Sequence, residues 1–501
     1  MMRKRHCWEC RRRCLVCDAT EPACNRCSMS GTECPGYGDV KPTRLKWLAP
    51  GKVNSRGRKR KGTPPSELRG YHNDDASKAT PESVYTMMSS AHMNMPRLEI
   101  RNEACILAQA AEYFNSCIYR DLLPIQELGQ NPHIFPLSAT HLQLATRRPF
   151  YLQFAMVCVT LSHRINRIRS DPHHKALLEE FYSYWGLALR SLNEHLNAGG
   201  GCADDMVIAG ILTLLLADVQ QGSSLNWRCH LEGLHQMIAL RGGFREVTKS
   251  KNLEPLLLCL WFITVIGNTT CPTSDLVMTG LYLNKLRFLL EQYSTAASPF
   301  QMCPLPLFSE IVQINHLRMQ ATEYGATKAE DLSTTAYLIL ERIHIFSPEQ
   351  WAESKQFSKL DWILIGTTYR AAVALYCILS LQSLSVLPES SELRACCAEH
   401  SHFLQESLKE GLSSPRIKRF MAWPLVLLGV EAVHDSAATR AFIAKQLAEL
   451  SYGVGTYVPL AAKRVLELFW NSGEKRWDAC FDKPYIFTTQ IAVDTSHLMP
   501  P

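Results

Sequence analysis

Cys7-Trp-Glu-Cys10-Arg-Arg-Arg-Cys14-Leu-Val-Cys17-Asp-Ala-Thr-Glu-Pro-Ala-Cys24-Asn-Arg-Cys27-Ser-Met-Ser-Gly-Thr-Glu-Cys34 contains one spacing twice: cysteine, two residues, cysteine, six residues, cysteine. Thiolates two residues apart grip one tetrahedral zinc, and a third ligand seven positions on returns after one helical turn and a short loop. A segment of ~30 residues cannot bury an adequate apolar core, so a metal would hold it together. The competing reading is a disulfide knot, which needs an oxidising compartment. Against it, the chain starts with Arg3, Lys4 and Arg5 and no apolar signal stretch follows. Interleaved zinc sites of the ubiquitin-ligase type need longer loops and usually a histidine, and His6 lies outside the spacing.

Charge separates this head from the rest. Through Gly62 the chain has 16 Lys and Arg against 5 Asp and Glu, whereas the remainder has 37 against 42. The modest overall +6 therefore conceals a basic head on a mildly acidic body. Such a head fits a polyanion, because neutralising phosphates releases counterions. The densest run, Arg56-Gly-Arg58-Lys59-Arg60-Lys61, reads as a nuclear-import signal or phosphate contact, with a solvated linker as the plainer reading.

The cysteine pattern resembles the fungal zinc binuclear-cluster domain, and further residues agree. Arg11, Arg12 and Arg13 follow the second cysteine, Asp18 follows the third, and Pro22 sits between the halves. The resemblance implies six cysteine ligands (Cys7, Cys10, Cys17, Cys24, Cys27, Cys34) and two Zn2+ ions, with Cys7 and Cys24 bridging both. One ion would take Cys7, Cys10, Cys17 and Cys24, the other Cys24, Cys27, Cys34 and Cys7. It also implies that Arg11, Arg12 and Arg13 approach a short CGG-like element in the major groove of double-stranded DNA, where an arginine fork bonds both acceptors of guanine. Cys14 and Val16 depart from the pattern, standing where relatives usually carry basic residues. Cys14 reads first as an inert small residue, with a redox or substitute-ligand role as the alternative.

After Cys34 the chain continues Pro35-Gly36-Tyr37-Gly38 and Leu45-Lys46-Trp47, similar to one large subgroup of these regulators. Residues 63–101 turn to Pro, Ser, Thr, Asn and Met without periodicity, the composition of a flexible linker. Many relatives dimerise through a coiled coil here, yet no run of three heptads is present, so this segment does not support dimerisation, and a homodimer is carried only as one candidate partner.

From about 102 to 480 the apolar residues recur at helical spacing. Trp227, Leu231, Leu234 and Ile238 form one stripe, stopped by Gly242 and Gly243; Ala461, Val465, Leu468 and Phe469 form another, opened by Pro459 and closed by Gly473. Comparable patterns cover 103–122, 150–169, 174–196, 204–220, 255–267, 362–383 and 440–451. The body resembles the helical regulatory region of the same fungal subgroup, with Trp227, His230, Leu231, Gly233 and Gly242-Gly243 at the matching signature.

The body offers no defensible catalytic set. His230, Glu232 and His235 have the wrong spacing for a zinc-protease helix, and Gly199-Gly200-Gly201 lacks the lysine of a phosphate loop and reads as a hinge. Asp204 and Asp205 stand at an expected helix start, where capping of that start is expected ahead of metal binding. The twelve cysteines after residue 62 show no paired ligand spacing, and Cys396 and Cys397, being adjacent, cannot both chelate comfortably. The longest apolar stretches, Met206–Ala217 and Pro255–Gly267, fall short of the ~20 residues a bilayer needs, so no membrane partner is expected.

The expected protein is mainly α. A zinc-stapled domain with two short helices spans 7–37, a basic and then Pro/Ser/Thr-rich linker 38–101, an all-helical regulatory domain 102–480 and a tail 481–501. The expected function is a nuclear, sequence-specific DNA-binding transcription regulator of RNA polymerase II genes, not an enzyme. Its partners would be DNA and the transcription machinery or co-regulators. Specialised-metabolite genes are one candidate target among nutrient and stress pathways. The alternative is a nuclear interaction protein whose degenerate cluster no longer reads DNA sequence.

Overall fold

The computed structural model describes residues 7, 10, 17–20, 22–30, 34–37, 103–129, 134–169, 172–198, 204–222, 227–250, 252–296, 303–324 and 329–489. The chain divides into two units, Met1–Pro96 and Arg97–Pro501. The expected linker, the Arg56–Lys61 run and the Gly199–Gly201 hinge lie outside the described residues.

In the first unit the described helix is α1, Asn25–Met29. The second unit is built from helices, with no strand among the described residues. Its main elements are α2 (Glu103–Tyr113), α3 (Ala139–Ala145), α4 (Phe150–Arg167), α5 (His174–Asn197), α6 (Asp205–Gln221), α7 (Trp227–Leu240) and α8 (Glu254–Thr269). There follow α9 (Thr279–Ala296), α10 (Leu305–Tyr324), α11 (Ala329–Ile345), α12 (Lys359–Ser383), α13 (Ser391–Ser413), α14 (Ala422–Glu431), α15 (Ala437–Val454) and α16 (Val458–Ser472). Helix α2 runs on through a π-turn at Phe114–Ile118 into Tyr119–Leu122, so the expected 103–122 helix is one element with an irregular middle.

Local chemistry sets many of the ends. Ser138, Ser390 and Ser436 each accept the N–H three residues on at 3.2 Å, capping α3, α13 and α15. Gly222, Gly455 and Gly473 close α6, α15 and α16 in the left-handed conformation. At Gly455, with φ +70°, a Cβ would also collide with the His163 ring, so only glycine fits.

Sequential helices pack as neighbours, α4 on α5 and α6, α9 on α10, α12 on α13, and α15 on α16. Helices α6, α8, α12 and α14 are buried nearly all round and form the centre. Helix α12 is long and apolar enough to cross a membrane, a longer apolar element than the expected Met206–Ala217 and Pro255–Gly267 stretches; 72% of its most apolar window is buried, the pattern of a core helix. The helix Trp227–Leu240 buries the expected stripe of Trp227, Leu231, Leu234 and Ile238.

Distant segments are pinned by tryptophan and arginine. The indole N–H of Trp227 donates to the Pro484 carbonyl at 2.7 Å, that of Trp423 to the Thr269 hydroxyl at 2.8 Å, and that of Trp470 to the Gly429 carbonyl at 2.8 Å. Arg318 of α10 is wholly buried and donates to the carbonyls of Asn268 and Cys271 at 2.8 Å and of Thr269 at 3.4 Å. It thus supplies the donors that the last turn of α8 lacks.

Three expectations are corrected. On α16 the buried side is Val458, Pro459, Ala462, Val465, Leu466 and Phe469, while Leu468 is 65% exposed. The stripe is rotated because α16 lies against α14, where a Cβ at Gly429 would collide with Leu466. The body also extends past 480, since Phe481 and Phe487 are buried in its core and the Tyr485 N–H bonds the Thr270 carbonyl at 3.2 Å. Finally, Asp204 and Asp205 stand at the start of α6, but no side chain caps it. Asp205 instead pairs with Arg241 and accepts the Ser250 hydroxyl at 2.6 Å, tying that helix start to the segment after α7.

Candidate metal centre

The head is organised by sulphur. Cys7, Cys10, Cys17, Cys24 and Cys27 are buried, and Cys34 and Tyr37 pack against them. Cys24 opens α1, and its Sγ accepts the Cys27 N–H at 3.4 Å. The Cys10 N–H donates to Cys7 Sγ at 3.4 Å, so the first Cys-x-x-Cys repeats the second. The third cysteines match as well: the Cys7 N–H donates to Cys17 Sγ at 3.4 Å, and the Cys24 N–H to Cys34 Sγ at 3.5 Å. The repeat in sequence is therefore a repeat in hydrogen bonding.

Across the halves, Cys7 Sγ lies 3.5 Å from Cys24 Sγ and 3.7 Å from Cys27 Sγ, and Cys24 Sγ lies 3.7 Å from Cys10 Sγ and 4.0 Å from Cys34 Sγ. Two thiolates on one tetrahedral zinc stand about 3.8 Å apart, whereas bonded disulfide sulphurs stand at about 2.05 Å. The described cysteines are unbridged. All-sulphur donors suit a soft or borderline ion such as zinc.

The largest grouping among the described residues is Cys7, Cys10, Cys24 and Cys27, with every sulphur within 4.8 Å of the others, and it crosses the partition that the resemblance implies. Cys17 instead groups with Asp18 and Cys24. Burial pushes the Cys7, Cys10 and Cys27 thiols up, Cys27 to about 12. Burial acts the same way on Cys17, but the N–H groups of Cys7 and Ala19 and the Tyr37 hydroxyl more than offset it, bringing Cys17 down to about 6.

Two roles went unread in the sequence. Asp18, a neighbour of a ligand position, accepts the Thr20 hydroxyl and the N–H groups of Asn25 (3.0 Å) and Arg26 (3.3 Å). The Thr20 bond leads in holding its carboxyl down at about 2, and the carboxylate sits at the N-terminus of α1, where orphan N–H groups favour negative charge. The hydroxyl of Tyr37 lies 3.9 Å from Cys17 Sγ and donates to the Thr20 carbonyl at 2.8 Å, closing the loop over the cluster. An aspartate directly after a third cysteine was the available signal for the first, and the Gly36-Tyr37-Gly38 stretch after the last cysteine for the second.

Arg11, Arg12, Arg13, Cys14 and Val16 lie outside the described residues, as do Arg56, Arg58, Lys59, Arg60 and Lys61. In the body, His230 meets Trp185 edge-on with ring centres 6.3 Å apart, and it forms no ligand group with Glu232 and His235 among the described residues. The body cysteines show no paired ligand spacing in sequence, but the fold brings one of them close to two histidines. Cys396 groups with His400 and His344.

A family model described as "Fungal specific transcription factor domain" matches residues 110–483. The "Phomenoic acid biosynthesis cluster-specific transcriptional regulator" of Leptosphaeria maculans is 50% identical over all of this chain and 92% of its own length. The "Acriflavine sensitivity control protein acr-2" of Neurospora crassa is 21% identical over 88% of this chain and 87% of its own. No solved structure matches.

Proposed function

The chain belongs to the fungal specific transcription factor family and is a transcriptional regulator rather than an enzyme; from that premise we propose that it acts in the nucleus as a sequence-specific DNA-binding regulator of a specialised-metabolite gene set. The observation that carries the reading is the paired sulphur geometry, in which Cys7 and Cys24 stand 3.5 Å apart and each lies 3.7 Å from a cysteine of the opposite half. That arrangement suits two bridging ligands. Cys7, Cys10, Cys17, Cys24, Cys27 and Cys34 would hold two zinc ions, whose charge stabilises the thiolates and fixes the short α1.

The residues of the chain then divide the work. Arg11, Arg12 and Arg13 follow a ligand directly, so a rigid cluster would present them to base edges and phosphates. The Arg56–Lys61 run would add sequence-independent phosphate contacts and a nuclear address. The relative sharing half its residues with this chain bears the words "biosynthesis cluster-specific" in its name, which supports a biosynthetic gene set as target.

The test is fluorescence anisotropy of the full chain on a CGG-containing and a random duplex. Arg13→Ala should cost ~1–3 kcal/mol on the CGG duplex and far less on the random one. Absence of any preference in the natural chain would transfer the reading to an interaction module, the alternative that Cys14 and Val16 favour.

A further inference from the structure

Helices α11 and α13 both flank the buried α12, and at one point they bring three metal-ligating side chains together. His344 lies in the last turn of α11, and Cys396 and His400 lie one turn apart on α13. The Nε2 atoms of His344 and His400 face each other at 3.1 Å, and Cys396 Sγ is 4.0 Å from His344 Nε2. The two rings are nearly parallel, 17° apart, with centres at 5.3 Å. All three ligand atoms fall within 4.8 Å of one another.

We propose that His344, Cys396 and His400 form a second metal site, a two-histidine, one-thiolate centre for zinc with solvent as the fourth ligand. With bonds of about 2.0–2.1 Å to nitrogen and 2.3 Å to sulphur, a tetrahedral zinc separates two imidazole nitrogens by about 3.3 Å and a sulphur from a nitrogen by about 3.6 Å. The observed 3.1 and 4.0 Å bracket those values, so a few tenths of an ångström of side-chain adjustment seats the ion. The i, i+4 pair Cys396 and His400 projects from one helix face, and His344 reaches the same point from another helix.

The surroundings suit ligation. Burial, reinforced by the neighbouring His344 and Arg370, holds His400 down at about 4, which favours the neutral imidazole that a metal requires. The Arg370 guanidinium donates to the Phe346 carbonyl at 3.3 Å. Binding would release the Cys396 thiol proton to solvent as the Zn–S bond forms. His344 is exposed and Cys396 and His400 only partly buried, which leaves a path for the ion and room for water. Bound metal would clamp the C-terminal end of α11 to α13, 52 and 56 residues apart in the chain for the two contacts.

The experiment is metal counting on the full-length chain by native mass spectrometry after zinc loading and desalting, comparing wild type with His344→Ala and with Cys396→Ser. Each variant should carry one zinc fewer than wild type, whatever number the N-terminal cysteines hold, with an unchanged far-ultraviolet circular dichroism spectrum. A Cys10→Ser/Cys27→Ser chain should lose zinc from the head and keep the body ion, which separates this site from the N-terminal reading. In that chain, cobalt should give a thiolate charge-transfer band that Cys396→Ser removes. Equal zinc counts in wild type and both variants, or no cobalt band, would mean that His344 and His400 share only an imidazole–imidazole hydrogen bond, and would overturn the proposal.

Discussion

Around Cys24, order comes from sulphur. Five buried cysteines and their N–H donors form the only cluster described in that unit, and Met29 on α1 is 89% exposed. Around Leu375 on α12, order comes from apolar packing, with Trp362, Tyr369 and Tyr376 fully buried on the same helix. The difference teaches where each region is vulnerable. A short segment without a core depends on its ligands, while a body of this size depends on volume and on satisfying the polar ends of its buried helices.

The largest expected effect separates the two directly. Chelation of zinc, or Cys7→Ser, should unfold the head completely and leave the main thermal transition of the body within a few degrees of its original position. Calorimetry of the full chain checks this, and a collapse of both transitions together would show that the head and body are not independently held.

Next comes the polar weak point of the body. Arg318→Met keeps volume but leaves the carbonyls of Asn268, Thr269 and Cys271 without their donor. With each orphaned buried group costing about 1–3 kcal/mol, a loss of about 3 kcal/mol is expected, read as a lower denaturant midpoint with DNA affinity per folded molecule unchanged. A neutral outcome would show that water takes over the end of α8.

The smallest effect sharpens the reading of α16. Leu468→Gln, at a side chain 65% exposed, should change stability by no more than about 0.5 kcal/mol. Leu466→Ala, at a side chain buried against Gly429, should cost about 2–5 kcal/mol. Urea titration of the pair discriminates; equal costs would restore the stripe drawn from spacing alone.

Spacing by itself determined the doubled cysteine motif, the helical class of the body and the limits of α4, α5, α6 and α8 to within a few residues, because these follow from interactions over one to three turns. Class and length were legible there; rotation was not. Spacing placed Leu468 inside and Ala462 unremarked, since a stripe known to one residue is known only to about 100° around a helix. Helical spacing left α3, α9, α10, α11, α13 and α14 unmarked, and α14 shows why: buried on every side, it has no polar face to set a period.

Only the tertiary structure decided which residues distant in sequence meet. Arg318 finds the end of α8 some 50 residues upstream, Trp227 is tied to Pro484 257 residues on, and His344 stands against Cys396 and His400. No local periodicity encodes such pairs. They arise when helices buried for their apolar faces bring along the polar side chains at their ends, and each such chain must then find a partner or leave an unsatisfied group in the core.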